Sequence, residues 1–278
     1  MTLTTLVDVS ALALRLGDPD WCIVDCRFSL ADPEAGRRAY REAHIPGAVY
    51  AHLDEDLSGA IIPGRTGRHP LPSIDVAAAR LSEMGIDGRV QVVVYDDAAG
   101  AIAARLWWML RWLGHDAVAV LDGGWKAWLA DDRPVRGGSE SRMRRQFEAR
   151  PRPAMIVDAD VVERSMVDSS ACLIDAREKR RYLGVEEPID PVAGHIPGAI
   201  SVPYRSTVDE SDRMLPPEAL RARFREVADR KAICYCGSGV TAAHLVLAMV
   251  HAGLNEPALY AGSWSEWITR PERSVARK

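Results

Sequence analysis

A single internal repeat governs what this chain can fold into. Val24-Asp25-Cys26-Arg27 returns as Ile174-Asp175-Ala176-Arg177, 150 residues later, and His44-Ile45-Pro46-Gly47-Ala48 returns as His195-Ile196-Pro197-Gly198-Ala199, 151 residues later. The offset then shrinks. Val94-Tyr95-Asp96-Asp97 aligns with Cys234-Tyr235-Cys236 at about 140, and Leu121-Asp122-Gly123-Gly124-Trp125 with Leu259 to Trp264 at about 138. One duplication with unequal loops explains all four matches. A chain of 278 residues that is 47% hydrophobic supports two modules with a core each.

Within each half, short apolar β-branched runs such as Cys22-Ile23-Val24 and Val92-Val93-Val94-Tyr95 alternate with segments of helical spacing such as Ala101 to Leu113. That alternation predicts an α/β fold: two tandem modules, each a mainly parallel sheet with helices on both faces. The N-terminal module is assigned to residues 1–138 and the C-terminal module to 154–278. Residues 139–153, rich in Arg, Gly, Ser and Pro around them, read as an exposed linker.

The second half holds the chemistry. Ile233-Cys234-Tyr235-Cys236-Gly237-Ser238-Gly239-Val240-Thr241 reads as a buried strand ending in a cysteine, then a tight loop, then a helix. Gly237 and Gly239 are expected to supply positive φ, curling the loop amides around the Cys236 sulfur. Those amides and the helix N-terminus then favour a thiolate nucleophile at the mouth of the ligand site, beyond the strand ends. Cys22, Cys26, Cys172 and Cys234 read as core residues, because free cysteine is usually a small buried hydrophobe.

The loop Cys-Gly-Ser-Gly-Val-Thr, together with both His-Ile-Pro-Gly-Ala segments, Leu121 to Trp125 and Gly262-Ser263-Trp264-Ser265-Glu266-Trp267, resembles the tandem rhodanese-type sulfurtransferases in their 3-mercaptopyruvate variant. The resemblance spans nearly the whole chain. It implies a site between two rhodanese modules and a two-step transfer of a sulfane sulfur from 3-mercaptopyruvate, through a Cys236 persulfide, to cyanide, a thiol or thioredoxin. The alternative donor is thiosulfate. Gly237 and Ser238 favour mercaptopyruvate, because thiosulfate-preferring relatives carry bulky cations there.

The resemblance also assigns roles. Arg181 falls on the arginine that holds the substrate carboxylate, with Gly237, Gly239, Val240 and Thr241 completing the binding loop. Ser238, His69 and Asp54 match a proton relay. The family's second carboxylate-binding arginine has its place taken by Ile189, with Arg180 as the substitute. The first module, with Asp97 opposite Cys236, is expected to be silent in catalysis. Asp25/Arg27 and Asp175/Arg177 read as buried framework pairs, His44 and His195 as structural, and Trp107, Trp108, Trp112, Trp125 and Trp128 as packing.

Other classes fit less well. A cysteine phosphatase needs an arginine where this chain has Ala242, and a non-enzymatic binding module would have no use for the intact loop. A net charge of −4 argues against nucleic-acid and anionic-membrane partners. The five cysteines lack disulfide or zinc spacing, which suits the cytoplasm. No metal or organic cofactor is required by this chemistry, and the sequence carries no signal for oligomeric state.

Overall fold

The computed structural model describes residues 2–278 and divides into two compact units. The first contains β1 (Leu6–Val7), α1 (Val9–Ala13), β2 (Trp21–Asp25), α2 (Ala35–Glu42), β3 (Val49–Tyr50), α3 (Ile74–Glu83), β4 (Gln91–Tyr95), α4 (Ala103–Trp112), β5 (Val118–Leu121) and α5 (Gly124–Ala130). The second contains β6 (Ile156–Val157), α6 (Ala159–Asp168), β7 (Cys172–Asp175), α7 (Lys179–Tyr182), β8 (Ile200–Ser201), α8 (Pro217–Arg223), β9 (Ala232–Tyr235), α9 (Thr241–His251), β10 (Ala258–Tyr260) and α10 (Ser263–Trp267). Both sheets are five-stranded and parallel, ordered β1-β5-β4-β2-β3 and β6-β10-β9-β7-β8.

The repeat is therefore structural down to register. Asp25 pairs with Tyr95 in the first unit and Asp175 with Tyr235 in the second. Each aspartate also holds a buried arginine two residues on: Arg27 Nη2 donates to Asp25 at 2.6 Å and Arg177 Nη2 to Asp175 at 2.7 Å. Both guanidiniums lie over a tryptophan ring, Trp125 and Trp264. With charge, hydrogen bonds and ring face all supplied, an ion pair can stay in the core without a large net penalty. His44 and His195 have their Nδ1 atoms on the carbonyls of Tyr40 and Tyr182, each at 2.7 Å.

Unit membership does not follow the repeat strictly. Residues 60–70 belong to the second unit, and residues 210–214 to the first. The segment expected as an exposed linker is also bound down. Arg145 N donates to Ser82 O, Arg150 N to Leu113 O and Arg152 N to Trp112 O, while Phe147 is buried beside His115. The change of unit falls between Arg152 and Pro153. Polar composition concealed this, because the strap is fixed by its backbone groups and one aromatic anchor.

The register also corrects which residue stands opposite Cys236. It is Asp96, not Asp97: Trp125 N donates to Asp96 O at 2.8 Å just as Trp264 N donates to Cys236 O at 3.0 Å. Asp96 is fully buried, and its carboxylate accepts four amides, from Ala98 and Gly100 on Oδ1 and from Ile102 and Ala103 on Oδ2, at 2.8 to 2.9 Å. The first unit fills its own amide cradle with its own anion. Asp96→Ala, which leaves those donors buried and unpaired, is expected to cost about 3 kcal/mol in denaturant unfolding, whereas an exposed control such as Glu42→Ala should cost less than about 0.5 kcal/mol.

Among the described residues no helix is long and apolar enough to cross a membrane.

Candidate active site

Cys236 follows directly on β9, and the loop after it is pinned from behind. Trp264 N and Ser265 N, in the first turn of α10, donate to the carbonyls of Cys236 and Gly237 at 3.0 and 2.9 Å. Ser263 Oγ accepts from Cys236 N and donates to Tyr260 O. With its carbonyls drawn towards α10, the loop turns an amide to the sulfur: Gly239 N donates to Cys236 Sγ at 3.2 Å. Gly239 has φ 78°, and a β-carbon there would lie 2.2 Å from Ala261 O, so only glycine fits. Val240 caps α9, and Thr241 opens it.

Gly237 does not play the conformational part expected of it. Its φ is not in the left-handed region. A β-carbon at Gly237 would instead stand 2.8 Å from Arg68 Nη2, and 3.6 and 3.7 Å from Arg181 Nη1 and Nη2. The missing side chain lets the Arg68 guanidinium approach closely, with that of Arg181 at ordinary contact distance, next to Cys236 in sequence. Both are held by one carboxylate: Asp190 Oδ1 pairs with Arg68 Nη1, and Asp190 Oδ2 accepts from Arg181 Nη2 at 2.9 Å. Glu187 accepts from Arg181 Nε at 2.9 Å, which orients the fork. Arg68 Nε is buried without a hydrogen-bond partner. Burial, opposed by the two arginines, pushes the Asp190 carboxyl up from its ordinary value.

Sequence reasoning missed Arg68. The signal was present, since it precedes His69, but its segment belongs to the second unit although it comes from the first half of the chain. The expected substitute is elsewhere: Arg180 is 65% exposed and pairs with Glu186. Ile189 is exposed too, as a surface residue beside Asp190.

Two of the three residues expected to form a relay come together within this unit. Ser238 Oγ lies 2.7 Å from His69 Nδ1, and Arg68 N donates to Ser265 Oγ at 3.1 Å, tying the 60–70 segment over the loop. Asp54 belongs to the first unit, where its N–H donates to His52 Nδ1 at 3.2 Å and burial raises its carboxyl pKa. Cys236 is 2% exposed, and Ser238 and His69 are each 6% exposed. Cys236 is thus enclosed rather than open at a mouth, and residues 60–70 are bonded to the loop beside it.

The other four cysteines are buried and free. Burial pushes their thiols up, that of Cys22 to about 11 and those of Cys26, Cys172 and Cys234 likewise upward. Such thiols are poor nucleophiles.

A strand-end cysteine, enclosed in a loop with a serine, a histidine and two arginines, on a parallel sheet that the chain builds twice, defines a two-module α/β protein with a candidate cysteine site. Residues 8–131 and 158–270 match the rhodanese-like domain. A probable 3-mercaptopyruvate sulfurtransferase of Pseudomonas aeruginosa is 45% identical over 99% of both chains. A putative thiosulfate sulfurtransferase, SseB of Mycobacterium tuberculosis, is 38% identical over 98% of this chain and 96% of its own. The crystal structure of the 3-mercaptopyruvate enzyme SseA from Escherichia coli superposes with a TM-score of 0.84 at 32% identity, covering 95% of this chain and all of that one. The chain belongs to the rhodanese-like family, as a two-module sulfurtransferase.

Proposed function

We propose that this protein moves a sulfane sulfur from 3-mercaptopyruvate to a thiophilic acceptor through a persulfide on Cys236. The observation that carries the donor assignment is the pair of guanidinium groups, Arg68 and Arg181, beside Gly237, with the Ser238–His69 pair on the next residue of the loop. A planar carboxylate suits such a fork, and the adjacent hydroxyl is placed to act on a keto oxygen. Val240 and Thr241 line the exit of the loop into α9.

In the first step the Cys236 thiolate attacks the donor sulfur. An S–S bond forms, the C–S bond breaks, and its electron pair leaves as the enolate of pyruvate. The thiol proton of the donor, relayed through Ser238 and His69, ends on that enolate to give pyruvate. The Gly239 amide, bonded to Sγ, stabilises the thiolate before attack and again as it is released in the second step. Enclosure at 2% exposure keeps water from the persulfide. In the second step the acceptor attacks the outer sulfur, and the Cys236 thiolate is released. Ping-pong kinetics follow. Asp54 is the third member of the relay in this reading, and the first unit, whose cradle Asp96 fills, transfers no sulfur.

Cyanide, small thiols and thioredoxin all have the thiophilic atom the second step needs. The five free cysteines suit a reducing cytoplasm. Thiosulfate is the second reading for the donor, favoured by the resemblance to SseB. Steady-state rates with each donor, cyanide as acceptor, decide between them: mercaptopyruvate is expected to give the higher kcat/KM, and a preference for thiosulfate above about tenfold overturns the assignment.

A further inference from the structure

Each unit carries a groove along the outer edge of its sheet, and the repeat makes the two comparable. The first encloses about 350 Å³ beside β3 and the end of α3, lined by Tyr50, Arg80, Glu83 and Met84 among others. The second encloses about 450 Å³ beside β8 and α8, with Ser201, Arg223, Glu226 and Val227 at the corresponding places. Correspondence follows from register, because Asp25 pairs with Tyr50 and Asp175 with Ser201. It follows also from the helix starts, where Ala77 N bonds Ser73 O and Leu220 N bonds Pro216 O.

The two grooves differ in what closes them. In the first unit one wall is Ser139 to Arg142, the opening of the extended strap that continues to Phe147. Glu140 N donates to the Tyr40 hydroxyl there at 2.9 Å. In the second unit every lining residue lies between 200 and 227, and no such segment is laid across. Two side chains there are unsatisfied: Ser201 Oγ and Ser206 Oγ are buried without a hydrogen-bond partner. At the position of Ser201 the first unit has Tyr50, whose bulk fills the space and whose hydroxyl donates to Arg27 O. The rim of the second groove is basic. Arg223 and Arg225 are exposed and enter no ion pair among the described residues, against the single acid Glu226.

We propose that the groove beside β8 docks an extended acidic segment of a partner protein, laid across the second unit as Ser139–Phe147 is laid across the first. The internal copy shows what kind of chain covers such an edge, the two hydroxyls offer hydrogen bonds to its backbone, and Arg223 and Arg225 select its charge. This surface is separate from the residues assigned to sulfur transfer, and the proposal does not depend on the donor.

The test uses the full chain and a labelled nine-residue peptide, the sequence of Ser139–Phe147 with its three arginines replaced by glutamate. Fluorescence anisotropy is expected to show saturable binding, weakened at least about tenfold by Ser201→Tyr and by Arg223→Glu/Arg225→Glu. The same peptide with its arginines retained is expected to bind at least about tenfold more weakly than the acidic one. Unchanged basal sulfur transfer and thermal midpoint in both variants show that the fold is intact. The proposal is overturned if the acidic peptide does not bind below about 1 mM, if the variants bind it as wild type does, or if the basic peptide binds as tightly.

Discussion

Cys236→Ser is expected to reduce sulfur transfer by at least about a thousandfold with either donor, while leaving the thermal midpoint within a degree or so of wild type. The hydroxyl fits the space under Gly239, so the loop survives. What is lost is the atom that can hold a second sulfur. Wild type incubated with donor and no acceptor should gain the mass of one sulfur atom on the peptide containing Cys236, and the variant should gain none. Cys234→Ser separates this from a general need for thiols. That residue is buried within β9, two positions before Cys236, with its thiol pushed up by burial, and its loss should leave catalysis near wild type. Turnover retained in Cys236→Ser removes the persulfide route altogether.

The second large effect is expected at the pair of arginines. Arg68→Ala and Arg181→Ala should each lower kcat/KM for 3-mercaptopyruvate by about ten- to a hundredfold, mostly through KM, because each removes a charge-assisted contact to the carboxylate. The double variant should lose less than the product of the two. Both arginines are held by Asp190, so removing either already disturbs the other. Arg180→Ala is the control, since its partner is Glu186 at the surface. A wild-type KM in Arg68→Ala would show that one arginine suffices, and an equal loss in Arg180→Ala would show that net charge rather than placement matters.

The contrast between these arginines marks where sequence reasoning reaches and where it stops. The fold was legible because a repeat, apolar β-branched runs and helical spacing all state local facts that add up to a parallel sheet. Cys236, Ser238 and Gly239 lie in one short, unbroken motif, and Arg181 was singled out by resemblance; the structure brings all four to the end of β9. Gly237 does not have the positive φ expected of it, since a glycine approached by a neighbouring side chain looks the same in sequence as one that φ requires. Asp96 was missed by one place. Two adjacent aspartates give no clue to which of them faces inward, and only strand register with Tyr95 decides it. Arg68 escaped because it is placed by a partner 122 residues away in sequence, Asp190, which no local motif links to it.

That last separation has a consequence for lineage. Residues 60–70 are covalently part of the first half but complete the second unit. A chimaera of two such proteins, spliced between Arg152 and Pro153, would take its cysteine from one parent and its Arg68 and His69 from the other. With the roles proposed for Arg68 and His69, donor preference would be inherited biparentally, and drift in one half would constrain what the other can become.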